Sequence, residues 1–255
     1  MKCAPVRWQS ERALFGVPGS VLGTPGTLEA LGRLLCRLDM PAADLETFMA
    51  DYDPVHVQYL HLGLEGQRCK VYWEFPMPER LDGSTSHHVQ YRAWKWHAGE
   101  PAAACSDYVI LPSAGAARAA IRQTTQAMPA LVGELIEQLE ISAALKHYPW
   151  PPMTVAIDEW LARQSTPRRS LNVHLHEADL PLGTIAGLMM ALAREWQAAP
   201  QQTLVDWVAR HGAERLSNVS LGLGHDSQPF FTCYYGGRVL SPDSKADESG
   251  QAQQP

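Results

Sequence analysis

The clearest feature of the chain is a two-residue alternation between Arg68 and Phe75: Cys69, Val71, Trp73 and Phe75 fall on one face, and Arg68, Lys70, Tyr72 and Glu74 on the other. The apolar stretch His61-Leu62-Gly63-Leu64 precedes it across the polar turn Glu65-Gly66-Gln67, so the pattern predicts a β-hairpin over about 55–75. A second copy, Ser220-Leu221-Gly222-Leu223-Gly224 leading to Phe231-Thr232-Cys233-Tyr234-Tyr235, predicts another hairpin over about 217–236. Further strands are expected at Val89–His97, at Ser106–Leu111 and at Ser170–His176. In the last of these Leu171, Val173 and Leu175 alternate with Ser170, Asn172, His174 and His176. About seven strands are expected in all.

Between the strands the period changes to that of helices. Thr27 can cap a helix carrying Leu28, Leu31, Leu34, Leu35 and Leu38, and Pro41 opens a shorter one with Leu45, Phe48 and Met49. Helices are also expected over 114–127, from Pro129 through Leu139, from a Thr154 cap through Ile157, Trp160 and Leu161, over 181–199 and over 202–210. Residues 1–26, rich in Gly and Pro, read as an irregular N-terminal segment, and the polar tail 239–255 as disordered. Helix pairs thus recur with strand pairs. The expected class is α+β: a single domain over 27–238 with internal repeats, forming an antiparallel sheet or barrel covered by helices on one face.

Composition narrows the function. With 255 residues and 45% apolar side chains, a sizeable core is available. Twenty-one basic against 27 acidic side chains leave a net charge of -6, which offers no footprint for nucleic acid and no basic stripe for anionic lipid. No stretch has the apolar length of a membrane span or the apolar core of a leader, so a soluble cytoplasmic protein is expected. The five cysteines lack the paired spacing of a zinc or redox site. Phosphate-loop, dinucleotide, nucleophile-elbow and His-Glu-x-x-His motifs are absent.

His174 and His176, two apart on one strand face, are candidate metal ligands that still need a third partner. Trp94 and Trp96 share a face suited to packing beneath a helix, with Lys95 and His97 opposite, and the pair Arg168-Arg169 can bind an anion, though it sits in a loop where solvated arginines are ordinary.

The repeated helix and strand pairs, together with Arg68-Cys69-Lys70-Val71-Tyr72 and its lysine-free counterpart Thr232-Cys233-Tyr234, resemble the aromatic prenyltransferases of the ABBA fold, whose strands carry an Arg-x-Lys-x-Tyr signature. The resemblance implies helices around an antiparallel barrel whose lumen holds an aromatic acceptor beside an isoprenyl diphosphate, in secondary metabolism. Arg68 and Lys70 would hold the diphosphate, Tyr72 and Tyr234 would flank an allylic cation, Asn172 would line the substrate cavity, and Glu74 or His174 would remove a proton. Magnesium is left open as a cofactor. Two rival functions remain: a non-catalytic maturation or ligand- or peptide-binding protein using the same sheet face, with a protein partner, and a metal-assisted enzyme built on His174 and His176.

Overall fold

In the computed structural model residues 1–78 and 87–237 are described; the tail expected to be disordered lies outside them. Twelve strands form one antiparallel sheet: β1 (Lys2–Ala4), β2 (Arg7–Gln9), β3 (Arg12–Pro18), β4 (Tyr59–Glu65), β5 (Arg68–Glu74), β6 (His88–His97), β7 (Ala104–Ile110), β8 (Thr154–Leu161), β9 (Gln164–Ser165), β10 (Arg169–His174), β11 (Leu216–Leu223) and β12 (Pro229–Tyr235). Their spatial order is β2-β1-β12-β11-β10-β8-β7-β6-β5-β4-β3, with β9 appended to β8.

The two ends of that order are neighbours in sequence. Only Ser10 and Glu11 separate β2 from β3, and the two strands pair not with each other but with β1 and β4 respectively. Because antiparallel pairing reverses direction at every step around the sheet, β2 and β3 run the same way. They form one bent stave whose first half closes on β1 and whose second half closes on β4. Counted so, and leaving β9 aside, the barrel has ten staves.

The helices lie outside it. α1 (Gly19–Leu22), α2 (Thr27–Arg37) and α3 (Ala42–Ala50) cover one side, where Leu31, Leu35 and Phe48 bury Val71, Trp73, Trp94 and Trp96. Trp73 stacks on Phe48 at 4.3 Å and donates its indole N–H to the Phe48 carbonyl at 2.9 Å. The tryptophans therefore pack under helices, as their strand face predicts. On the other side α4 (Ala114–Gln126), α5 (Ala130–Leu145), α6 (Ala186–Glu195) and α7 (Gln201–His211) cover Leu171, Val173, Val219, Leu221 and Phe231. No helix among the described residues is long and apolar enough to cross a membrane.

Leu-Gly-Leu occurs in both hairpins for a common reason: the leucines point outward and the glycine faces the lumen. At Gly222, with φ of 137°, a Cβ would come within 2.2 Å of the Arg169 carbonyl oxygen, so the β10–β11 approach requires glycine there.

Four expectations are corrected. Residues 154–161 are a strand, not a helix. The i, i+3, i+4 spacing of Ile157, Trp160 and Leu161 suggests a helix, but Thr154, Val155 and Ile157 are β-branched and fill the slot between β7 and β10. The N-terminal segment is not irregular: three strands lie within it, β1 pairing with β2 and the sheet partners of β3 and β1 standing at 59–65 and 229–235, beyond any local signal. β10 ends at His174, and His176 lies in a single 3-10 turn, His176–Ala178, so the two imidazoles do not share a strand face. The helix expected over 181–199 is a 3-10 turn, Leu182–Ile185, followed by α6.

Candidate active site

Alternation along each strand sends one set of side chains inward, and the register sorts them along the barrel axis. At the end where β5 begins, Lys2, Arg12, Arg68, Lys70, Lys95 and Arg168 gather around two carboxylates, Glu65 and Glu159. Glu65, the last residue of β4, meets the Lys70 ammonium, the Arg12 guanidinium at 3.1 Å and Lys2 at 4.0 Å. Glu159 accepts from Arg168 Nη1 at 3.0 Å and Thr166 Oγ1 at 3.2 Å, and lies 3.8 Å from Lys95 Nζ. Lys95 also donates to Ser106 Oγ at 3.1 Å.

Burial and crowding leave their mark on these charges. Burial, then the neighbouring Arg12, push Lys70 down to about 7, although Glu65 opposes the shift. Burial likewise brings Lys2 to about 8 and carries Lys95 well below the usual lysine range. Burial alone would raise Glu65, but Lys70, Arg12 and Lys2 together hold it well below the usual carboxylate range. Two guanidinium nitrogens, Arg12 Nη1 and Arg68 Nε, are buried with no hydrogen-bond partner among the described residues. More positive charge is assembled here than the protein's own carboxylates neutralise.

Next along the axis comes an aromatic layer. Tyr72 and Tyr91 each meet the Tyr108 ring edge-on, at 6.0 and 5.8 Å. Tyr234 lies under the Arg12 guanidinium at 5.2 Å and Phe230 under the Lys2 ammonium at 4.9 Å. Burial raises the hydroxyls of Tyr72, Tyr91 and Tyr108 above their ordinary range, so all three stay neutral at pH 7.

At the far end the polar groups are imidazoles and a carboxylate. His61 Nε2 and Glu74 Oε2 are 2.6 Å apart. His174 stacks on Tyr91 at 6.1 Å, its Nε2 is buried without a partner among the described residues, and burial lowers it to about 4. His176 lies 6.2 Å from His174 between ring centres. Among the described residues no three His, Cys, Asp or Glu side chains come together to hold a metal, so the two histidines gain no third ligand. Asn172 sits between the two ends, its Oδ1 accepting from Asn218 Nδ2 at 3.1 Å.

The residues singled out in the sequence thus divide between the ends. Arg68 and Lys70 stand in the cationic cluster, Tyr72 and Tyr234 in the aromatic layer beside it, and Glu74 and His174 beyond that layer. Sequence reasoning missed Lys2, Arg12, Glu65, Glu159 and His61 as lumen groups, and it left Arg168 between an anion site and a solvated loop. Lys95 carried a readable signal, since it lies on the strand face opposite the buried Trp94 and Trp96.

No protein-family model matches the sequence, and no curated protein matches it. Several solved structures are similar to it, among them two enzymes. One is 5-dimethylallyltryptophan synthase from Streptomyces coelicolor, with a TM-score of 0.56 at 12% identity over 90% of this chain and 79% of that one. The other is AnaPT from Neosartorya fischeri, with a TM-score of 0.46 at 13% identity over 92% of this chain and 77% of that one. The resemblance read from Arg68-Cys69-Lys70-Val71-Tyr72 holds at the level of architecture: the chain has the helix-covered antiparallel barrel fold of the aromatic prenyltransferases.

Proposed function

We propose that the chain moves an isoprenyl group from a diphosphate to an aromatic acceptor inside the barrel. The observation that carries this reading is the excess of buried and half-buried cations over carboxylates, with one guanidinium nitrogen of Arg12 and one of Arg68 buried and unpartnered, next to a layer of neutral tyrosines. Arg68, Lys70 and Lys95, with Arg12, Lys2 and Arg168 around them, bind the diphosphate oxygens. When the allylic C–O bond breaks, the diphosphate leaves with the electron pair and its added charge develops among these cations. They stabilise it without reorganising. Tyr72, Tyr108 and Tyr234 shield the allylic cation with their ring faces. The electron-rich ring of the acceptor attacks that cation, and its proton passes to Glu74, which His61 holds in place at 2.6 Å. His174, neutral at pH 7, offers its free Nε2 to a polar group of the acceptor.

Magnesium does not fit this donor set, because Glu65 and Glu159 are both already engaged by cations. Charge enclosed in a barrel favours a transferase over a binding protein that works through an open sheet, and a cytoplasmic location with small-molecule partners is part of the same proposal.

The test is isothermal titration with dimethylallyl and geranyl diphosphate. Lys70→Ala is expected to weaken binding by about 10- to 100-fold, the range for losing a charge-assisted hydrogen bond of ~1.5–3 kcal/mol. Tyr72→Phe, which keeps the ring, is expected to bind nearly as the wild type does. No binding by the folded wild type overturns the proposal.

A further inference from the structure

The geometry points to Glu65 as a tethered stand-in for the diphosphate: it occupies the anion site when the lumen is empty and must leave when the ligand binds. This inference rests on the diphosphate reading above. Both carboxylates at the cationic end are buried, but their contacts differ in kind. Glu159 is anchored by a neutral donor, the Thr166 hydroxyl at 3.2 Å, as well as by Arg168 and Lys95, and Arg168 is itself tied to Ser170 Oγ at 2.9 Å. Glu65 is held by cations alone, namely Lys70, Arg12 and Lys2, and these are groups that a diphosphate would take.

Physical chemistry requires some anion there. Three cations crowded in a lumen shielded from water repel one another and lose their hydration, so without a counter-ion the empty barrel is destabilised. A bound diphosphate supplies that counter-charge several times over, and an ionised Glu65 left in place would then oppose it. The chain also gives Glu65 a way out. It is the last residue of β4, directly before the turn at Gly66, whose φ is 57°. A side-chain rotation at this rim carries the carboxylate toward solvent without breaking a ladder bond, since pairing is a backbone matter.

Glu65 on this account weakens diphosphate affinity and in return keeps the unliganded barrel intact. The experiment is titration of the wild type, Glu65→Gln and Glu159→Gln with inorganic pyrophosphate, alongside thermal melting with and without it. Glu65→Gln is expected to bind pyrophosphate about tenfold more tightly, as coupling between close buried charges implies. It should melt lower than the wild type when empty, with a larger rise on adding pyrophosphate. Glu159→Gln should show no such gain. If Glu65→Gln is too unstable to purify, Glu65→Asp, which keeps the charge but withdraws it from Arg12, should show a smaller gain in the same direction. Equal or weaker binding by folded Glu65→Gln or Glu65→Asp, with the wild type binding normally, overturns the inference and leaves the proposed function standing. Pyrophosphate binding by neither wild type nor variant overturns both.

Discussion

Diphosphate binding should fall steeply with rising pH. In the empty lumen Lys70 titrates at about 7 and Lys2 at about 8, both pushed down chiefly by burial, and Lys95 lies well below the ordinary lysine range. A bound diphosphate favours the charged form of each, so binding takes up protons wherever a lysine is neutral beforehand. Each such lysine removes about one decade of affinity per pH unit above its free pKa, because each decade in proton activity is ~1.36 kcal/mol. With Lys70 and Lys2 counted together, affinity should drop about 10²- to 10³-fold from pH 7 to pH 9. The ligand of choice is dimethylallyl S-thiolodiphosphate, whose terminal phosphate loses its last proton around pH 6 and so changes little in charge above pH 7. Titration calorimetry in HEPES and in Tris, which differ in heat of ionisation, counts the protons directly. One to two protons should be taken up at pH 8.5, and fewer in Lys70→Met, whose pH profile should be correspondingly flatter. Equal affinity at pH 7 and pH 9, with no proton uptake, would refute the reasoning that these lysines are partly neutral and face the ligand.

Two further predictions concern the scaffold. Trp73→Ala removes a fully buried ring stacked on Phe48 and should cost ~3–5 kcal/mol in urea unfolding, while diphosphate binding by the folded variant stays unchanged because Trp73 points away from the lumen. For His174, lowered to about 4 by burial, the folded state binds fewer protons than the unfolded one between pH 6.5 and 4. Its contribution to stability is therefore complete above 6.5 and is lost as pH falls toward 4; urea midpoints should show that loss as about 2–3 kcal/mol in the wild type and not in His174→Gln.

Much of the site was legible because β5 carries its own instructions. The alternation from Arg68 to Glu74 assigns inside and outside without reference to any other strand, and the Gly66-Gln67 turn fixes its register with β4. That register sets Glu65 opposite Arg68, one diagonal step from Lys70. The remaining lumen groups depend on pairings that no local pattern announces. Lys2 and Arg12 become lumen residues only because β1 finds β12 and β3 finds β4, across more than 200 and about 50 residues of chain. Glu159 could not be placed while 154–161 read as a helix, since its partnership with Lys95 and Arg168 exists only when β8 stands between β7 and β10. His61 looked like an ordinary strand residue, and only the hairpin register brings it opposite Tyr72 and within reach of Glu74.

The bent stave from Arg7 to Pro18 also bears on how the protein comes off the ribosome. Its first half is joined to the barrel through β1, and β1 pairs with β12, the last of the described strands to be synthesised. Until Pro229–Tyr235 has emerged, Lys2–Ala4 has only β2 to pair with, and the main sheet stays open, with β3 and β11 as its free edges. The lumen, with its gathered cations, then comes into being in one step, once all the other described strands have been translated. A nascent chain stalled before β12 would leave Lys70 and Lys95 facing water instead of gathered with their partners in a closed lumen.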